Sequence, residues 1–298
     1  MDLLVVGDAN ADLVLRGGDV VPTFGQREQL VDHAELVLGG SGAIAATGAA
    51  KLGLDVAMVA CVGDDPLGRV VLEELRAAGV DVSAIKIDPS APTGVSVGLA
   101  RADDRAMLTA PGALAHLRAE DVPDEVIARA RHVHVSSPFL QDGLAPGLRA
   151  LAGRARGTTS LDTGWDPRER WDVPVDAFDV LLPNGEEALR LAGHEDGDVE
   201  AAAHALAAGR SLVVVKLGAD GALAARGGEI VRVTAPEIEA VDTTGAGDSF
   251  DAGFLAAWLR GNDLAAALML ACACGALSTQ RAGGTAAQPT LDEARALA

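Results

Sequence analysis

Short, nearly continuous apolar runs recur along the chain at Leu3–Val6, Val56–Val62, Val133–Ser136, Val180–Leu182 and Leu212–Leu217. Successive side chains of a strand point to opposite faces, so a run that is apolar at every position suits a strand covered on both sides. Between the runs lie stretches with helical spacing of alanine and leucine: Ser41–Leu52, Leu67–Ala78, Leu144–Arg154, Gly185–Leu191, Val199–Ala208, Gly247–Leu259 and Leu264–Gln280. This alternation predicts an α/β fold with a doubly wound, mainly parallel sheet.

Two segments break the rhythm. Asp12–Leu38, and Thr93–Thr109 with its alternating Val95, Val97 and Leu99, carry the one-sided pattern of strands with an exposed face. They predict a small projecting sheet, and hence one domain over residues 1–298 with insertions at about 12–38 and 93–109. The chain shows no internal repeat and no low-complexity linker.

Composition narrows the function. Although 49% of the 298 residues are hydrophobic, no stretch reaches the roughly 20 uninterrupted apolar residues of a membrane helix. The start, Met1-Asp-Leu-Leu-Val-Val-Gly-Asp8, has neither the basic flank nor the apolar length of a secretory signal, so a cytoplasmic protein with no membrane partner is expected. A net charge of −19 argues against nucleic acid, whose binding depends on Lys and Arg neutralising phosphates. Any phosphate ligand must then be held by local positive potential, which backbone N–H groups at a glycine-rich helix start supply. Cys61, Cys272 and Cys274 read as buried thiols, since two cysteines two apart on a helix diverge.

Such a helix start is present at Ala240-Val-Asp-Thr-Thr-Gly-Ala-Gly-Asp-Ser-Phe250, where Phe250, Phe254 and Trp258 then recur every four residues. Gly245, Ala246 and Gly247 leave their N–H groups open to an anion, and the helix dipole adds roughly half a positive charge. Asp248 follows directly, where a carboxylate is able to take the proton of an attacking hydroxyl as a phosphoryl group arrives. The bland reading makes Asp248 a first-turn acid and the glycines turn formers.

The string Asp242–Asp248 resembles the C-terminal signature, Asp-Thr-x-Gly-Ala-Gly-Asp, of the ribokinase-like (PfkB) carbohydrate kinases. Further landmarks follow in order: Gly7-Asp-Ala-Asn-Ala-Asp12, Gly39-Gly40 before a helix, Val62-Gly-Asp-Asp-Pro-Leu-Gly68, Asn184-Gly-Glu-Glu187 and Lys216-Leu-Gly-Ala-Asp-Gly221. The resemblance implies a ribokinase-like fold whose small sheet is a lid, with ATP and Mg²⁺ as cofactors and a small sugar as acceptor. It assigns Asp248 as the base, with Gly245, Ala246 and Gly247 as the anion hole. Asn10, Asp12, Gly39 and Gly40 would hold the sugar. Asn184, Lys216, Gly218, Gly221 and Thr244 would border the nucleotide, Glu187 and Asn184 organising Mg²⁺ through water. Some members of the family bind a monovalent cation, and the equivalents here, for K⁺, are Asp242, Thr244 and the loop around Gly283 and Gly284. A homodimer through the lid sheet is a further expectation.

Two positions depart from the family pattern. Ile44 stands where Gly-Gly-x-x-x-Asn would place an amide, which puts ribose itself in doubt, and Cys272 stands where relatives carry a polar residue beside the purine. The segment Asp162-Thr-Gly-Trp-Asp-Pro-Arg-Glu-Arg-Trp171 is similar to a loop of relatives acting on hexoses and keto-sugar acids, which nominates Arg168, with Arg170, for a substrate carboxylate.

Other readings compete. Gly40-Ser-Gly-Ala-Ile-Ala45 fits a dinucleotide fingerprint with Asp64 downstream, which would make a nicotinamide-dependent oxidoreductase. A nucleotide or sugar sensor without turnover is the non-enzyme alternative. The chain has no Gly-Lys pair for a Walker loop and no paired Cys-x-x-Cys, and His132 and His134 read as core histidines rather than a metal pair.

Overall fold

The computed structural model describes residues 1–18, 20–100, 105–194, 197–208 and 211–298. Part of the second predicted insertion, 101–104, thus lies outside the described residues.

The apolar runs form the middle of an eight-stranded sheet. Numbered along the chain, its spatial order is β14 (Glu229–Val233), β13 (Ala222–Arg226), β12 (Leu212–Lys216), β11 (Val180–Leu181), β10 (Thr158–Asp162), β9 (His132–Ser136), β1 (Leu3–Val6) and β4 (Val56–Val59). From β12 across to β4 all neighbours are parallel, while β13 and β14 form an antiparallel edge.

Alternate residues of each strand enter opposite cores. Leu3, Val5, Met58, Leu212 and Val214 pack beneath α1 (Ser41–Lys51), α2 (Pro66–Ala77), α7 (Ala246–Leu259), α8 (Leu264–Ser278) and α9 (Leu291–Leu297). Leu4, Val6, Val133, Leu161 and Val213 pack beneath α3 (Asp124–Arg129), α4 (Leu148–Arg154), α5 (Gly185–Ala192) and α6 (Val199–Leu206). Full burial of each Val or Leu contributes about 1.5–3 kcal/mol, which is why β1 and β4 are apolar at every position. The glycine and alanine content of α7 has a packing cause. A Cβ on Gly253 would lie 2.9 Å from Ala271 Cα and Cys274 Cβ, so α7 and α8 touch backbone to backbone only because that position is bare.

The two one-sided segments meet in a second sheet, ordered β3 (His33–Gly39), β2 (Asn10–Arg16), β7 (Val95–Ala100) and β8 (Arg105–Ala110). β2 runs antiparallel to β3 and parallel to β7.

Several expected boundaries need correction. The run Val56–Val62 is two strands: β4 stops at Val59, and β5 (Cys61–Gly63) pairs with β6 (Lys86–Asp88) in a separate sheet. Both halves are buried, so hydropathy carries no mark of the change of partner. β10 was hidden by its polar Thr158-Thr-Ser160, and the β13–β14 hairpin by alanines that suit a helix equally. Within Leu144–Arg154 only Leu148–Arg154 is α-helical, Ala145–Gly147 forming a 3₁₀ turn around Pro146.

Candidate active site

The last residues of β1 and the first turn of α1 make one side of the site. Gly40 takes φ +92°, and the Asp8 carboxylate then accepts from Ser41 N at 3.1 Å and Gly42 N at 2.9 Å, capping α1. Asn10 and Asp12 open β2, both buried, and Asn10 Nδ2 donates to Asp12 Oδ1 at 2.7 Å and to Ser96 Oγ at 3.4 Å. The glycines of the expected sugar site have a close neighbour within the chain itself. A Cβ on Gly39 would fall 2.1 Å from Asp12 Oδ1, and one on Gly40 would fall 2.9 Å from Asn10 Oδ1. Their bareness makes room for the two polar side chains.

The start of α7 makes the opposite side. Gly245 is left-handed at φ +72°, and no side chain caps the helix; Ala246 N donates to Thr243 O at 3.3 Å, and an uncapped end of this kind is open to an anion. Just upstream, Asp242 Oδ1 accepts from Thr244 N at 2.9 Å and Thr244 Oγ1 at 2.6 Å, while Asp242 Oδ2 accepts from Gly283 N at 2.9 Å. Ile44 is buried beneath this turn, its side chain within 3.0 Å of where Cβ atoms on Gly245 and Gly284 would sit. Gln288 ties the two sides together, donating from Nε2 to Ile44 O at 2.8 Å and to Ser249 Oγ at 3.1 Å.

Asp248 lies where the sides meet. Removal from water, with Asp162 and then Asp8 nearby, pushes its carboxyl up to about 7, opposed by Lys216 and by a hydrogen bond from Ser41. Glu187 is likewise pushed up to about 7 by burial and by Asp162, and Asp8 to about 6 by burial. Lys216 Nζ lies 3.0 Å from Asp162 Oδ2 and 3.1 Å from Asp251 Oδ2. Among the described residues, Asp162, Asp248 and Asp251 bring carboxylate oxygens within 4.8 Å of one another.

A cavity of about 440 Å³ opens beside the start of α7, lined by Lys216, Gly218, Gly221, Pro236, Ile238, Ala246, Gly247, Phe250 and Cys272 among others. Gly221 is at φ +97°, where a Cβ would strike Val233 O at 2.0 Å, so this turn accepts glycine alone. A largely apolar slot ending at a helix N-terminus suits a flat heterocycle joined to phosphates.

Not every predicted residue arrives there. Thr243, rather than Thr244, lines the cavity, because the Thr244 hydroxyl turns back to Asp242. Asn184 and Glu187 lie off the cavity wall and cap each other at the start of α5, Asn184 Oδ1 accepting from Glu187 N at 2.9 Å and Glu187 Oε2 from Asn184 N at 2.8 Å. Arg168 is committed to Asp142 in a two-bond ion pair, Nη2 to Oδ2 at 2.7 Å and Nη1 to Oδ1. The loop behind it is organised by the buried Asp166, which accepts backbone N–H groups from Arg168, Arg170 and Trp171. Asp8, Ser41, Asp162, Asp251 and Gln288 were not predicted. Asp251 alone left a trace, three residues beyond Asp248 and so on the same helical face.

Two competing readings lose their footing. The Gly40–Ala45 segment follows β3 of the small sheet, not a strand of a βαβ unit, and Asp64 is exposed at a turn. His132 and His134 both hydrogen bond to Ser160 Oγ, at 2.7 and 2.8 Å, and burial pushes them down to about 3 and about 4, as for neutral core imidazoles.

Comparison with known proteins agrees with this geometry. The family model described as "pfkB family carbohydrate kinase" matches residues 1–291. An ATP-dependent ribose-1-phosphate kinase of Halopiger xanaduensis is 33% identical over 97% of this chain and 95% of its own. Adenosine kinase of Sinorhizobium meliloti superposes with a TM-score of 0.88 at 27% identity, covering 100% of this chain and 99% of that one. Arabidopsis thaliana ribokinase, solved with ribose and ATP, superposes with a TM-score of 0.84 at 26% identity, covering 99% and 98%.

Proposed function

The chain belongs to the PfkB family of carbohydrate kinases, and from that premise we propose that it transfers the γ-phosphoryl group of ATP to a hydroxyl of a small sugar, Asp248 acting as base. The observation that carries this reading is the half-buried Asp248 directly after an uncapped helix N-terminus, between the polar pair Asn10–Asp12 and the 440 Å³ cavity. The adenine half of ATP occupies that cavity, beside Gly218, Gly221 and Cys272. The N–H groups of Gly245, Ala246 and Gly247 face the charge that develops on the moving phosphoryl group. Asn10 and Asp12 orient the sugar, their mutual bond leaving further acceptor capacity on the carboxylate. Asp248, near neutrality because burial and Asp162 oppose its charge, takes the hydroxyl proton.

The residues fit Mg²⁺. Glu187 is a buried carboxylate next to Asp162, with Lys216 the cation nearest to both, and a hard divalent ion would relieve that excess of negative charge. Glu187 and Asn184 would hold it through water, and it would supply charge neutralisation at the phosphates. For K⁺, the support is the Asp242 carboxylate, which draws Thr244 and the Gly283 loop to one point beside the anion hole. The four-stranded sheet acts in this reading as a lid over the sugar. Its exposed Leu36, Met107 and Leu108 suit pairing with a second copy of the chain. Three unpaired, buried cysteines accord with a reducing cytoplasm.

The test is ADP release with MgATP across pentoses, hexoses, keto-sugar acids, sugar phosphates and nucleosides. Release stimulated by one class identifies the acceptor, whereas no stimulation by any of them, with ATP binding intact, returns the chain to a sensor role.

A further inference from the structure

Behind Asp248 lies a charged cluster that the transfer step as drawn does not use. Lys216 closes β12, and its Nζ sits 3.0 Å from Asp162 Oδ2 and 3.2 and 3.1 Å from the two oxygens of Asp251. All three side chains are withdrawn from water, at 11%, 6% and 1% exposure. Asp162 ends β10, and Asp251 stands one turn beyond Asp248 on α7. A Cβ on Gly247 would lie 3.6 Å from the Lys216 ammonium, so that charge rests directly under the turn that carries both the anion-hole N–H groups and the base.

We propose that Lys216 is a positioning residue: clamped by Asp162 and Asp251, its ammonium fixes the first turn of α7 and keeps the Asp248 carboxylate ionised. Three arguments support it. Both carboxylates hold the ammonium from different elements, β10 and α7, so its place is set by the fold rather than by a ligand. The groups acting on Asp248 from its surroundings are Asp162 on β10, Lys216 on β12, Asp8 after β1 and Ser41 on α1, and Lys216 is the cation among them; burial, Asp162 and Asp248 push the Asp251 carboxyl up, so it does not compete as a charge. Without it, buried like charges would hold a proton on Asp248 and remove the base. The ammonium also supplies the counter-charge for the three clustered aspartates, a job a metal ion would otherwise do.

This inference rests on the phosphoryl-transfer reading. The test is the pH dependence of kcat for the wild-type chain and for Lys216→Met, Lys216→Arg and Asp162→Asn, each checked for folding by circular dichroism. Lys216→Met should move the acid limb up by about 1–3 pH units, the range for a unit charge lost at such separations. Lys216→Arg should keep the limb within about half a unit of wild type if a charge, and not one shape, is what matters. Asp162→Asn should move it down, because Asp162 is the charge that most opposes ionisation of Asp248, and packing damage does not produce opposite signs in two variants of one cluster. Unmoved limbs in Lys216→Met and Asp162→Asn overturn the proposal. So does a tenfold rise in KM for ATP with kcat and limb unchanged in Lys216→Met, which makes the lysine a phosphate ligand. Should Lys216→Met fail to fold, the sign of the Asp162→Asn shift decides. Should the wild-type chain transfer to no acceptor, the reaction reading falls, and ¹³C NMR titration of the Asp248 carboxyl in the same variants still decides the role of Lys216.

Discussion

Asp248→Asn should cost nearly all turnover and yet stabilise the protein. The folded environment raises this carboxyl from 3.8 to about 7. A group whose folded value is raised contributes stability below its unfolded value and loses it as pH climbs through the folded one, so at pH 8 the ionised Asp248 is a burden on the fold. The full shift corresponds to about 4 kcal/mol at roughly 1.36 kcal/mol per unit, and partial access to solvent reduces that to about 2 kcal/mol. Asparagine has nearly the same shape and no charge, so the variant should melt about 4 °C higher at pH 8. At pH 3, where both states of the wild type are largely protonated, the two proteins should melt together. Activity moves the other way, since loss of a general base lowers rates by about 10²–10⁴-fold, or roughly 3–5 kcal/mol of transition-state energy. Calorimetry at the two pH values and steady-state ADP release measure both effects. A variant that keeps a tenth or more of wild-type kcat, or that melts lower at pH 8, refutes the reasoning.

Three further outcomes follow from the same structure. Gly253→Val drives a branched side chain into Ala271 and Cys274 and should destabilise the fold by about 2 kcal/mol or more, read as a lower denaturation midpoint. Asp65→Ala removes acceptors for Gly68 N, Thr93 N and Thr93 Oγ1, and so both the cap of α2 and the tie that holds the base of β7; a loss of about 1–3 kcal/mol is expected in urea denaturation. Arg168→Ala breaks only an exposed pair with Asp142, so sugar KM should change less than about twofold and stability by at most about 1 kcal/mol; a tenfold rise in KM would show that the guanidinium leaves Asp142 to meet the substrate.

Much of this protein was written in its sequence through local physics. Unbroken apolar runs mark strands covered on both faces, and those of Leu3–Val6 and Leu212–Leu217 took their places in the main sheet because nothing else buries every side chain of a strand. The glycines before Asp248 announce an uncapped helix start, since backbone approach to an anion needs residues without side chains. Tertiary structure alone decided the rest. Thr158–Asp162 looks polar, yet it is a central strand, because His132 and His134 across the ladder satisfy the hydroxyls of Thr158 and Ser160, and Asp179 that of Thr159. Gly39 and Gly40 read as space for a sugar, and only the fold shows that a Cβ at either would also meet the side chain of Asp12 or Asn10. Lys216 and Asp162 lie 54 positions apart, and no spacing rule joins them; the parallel order of β10, β11 and β12 carries one to the other beneath Asp251. Charge acts through space, so the environment of the Asp248 carboxyl took shape only when the sheet brought distant carboxylates and one ammonium to the same turn of α7.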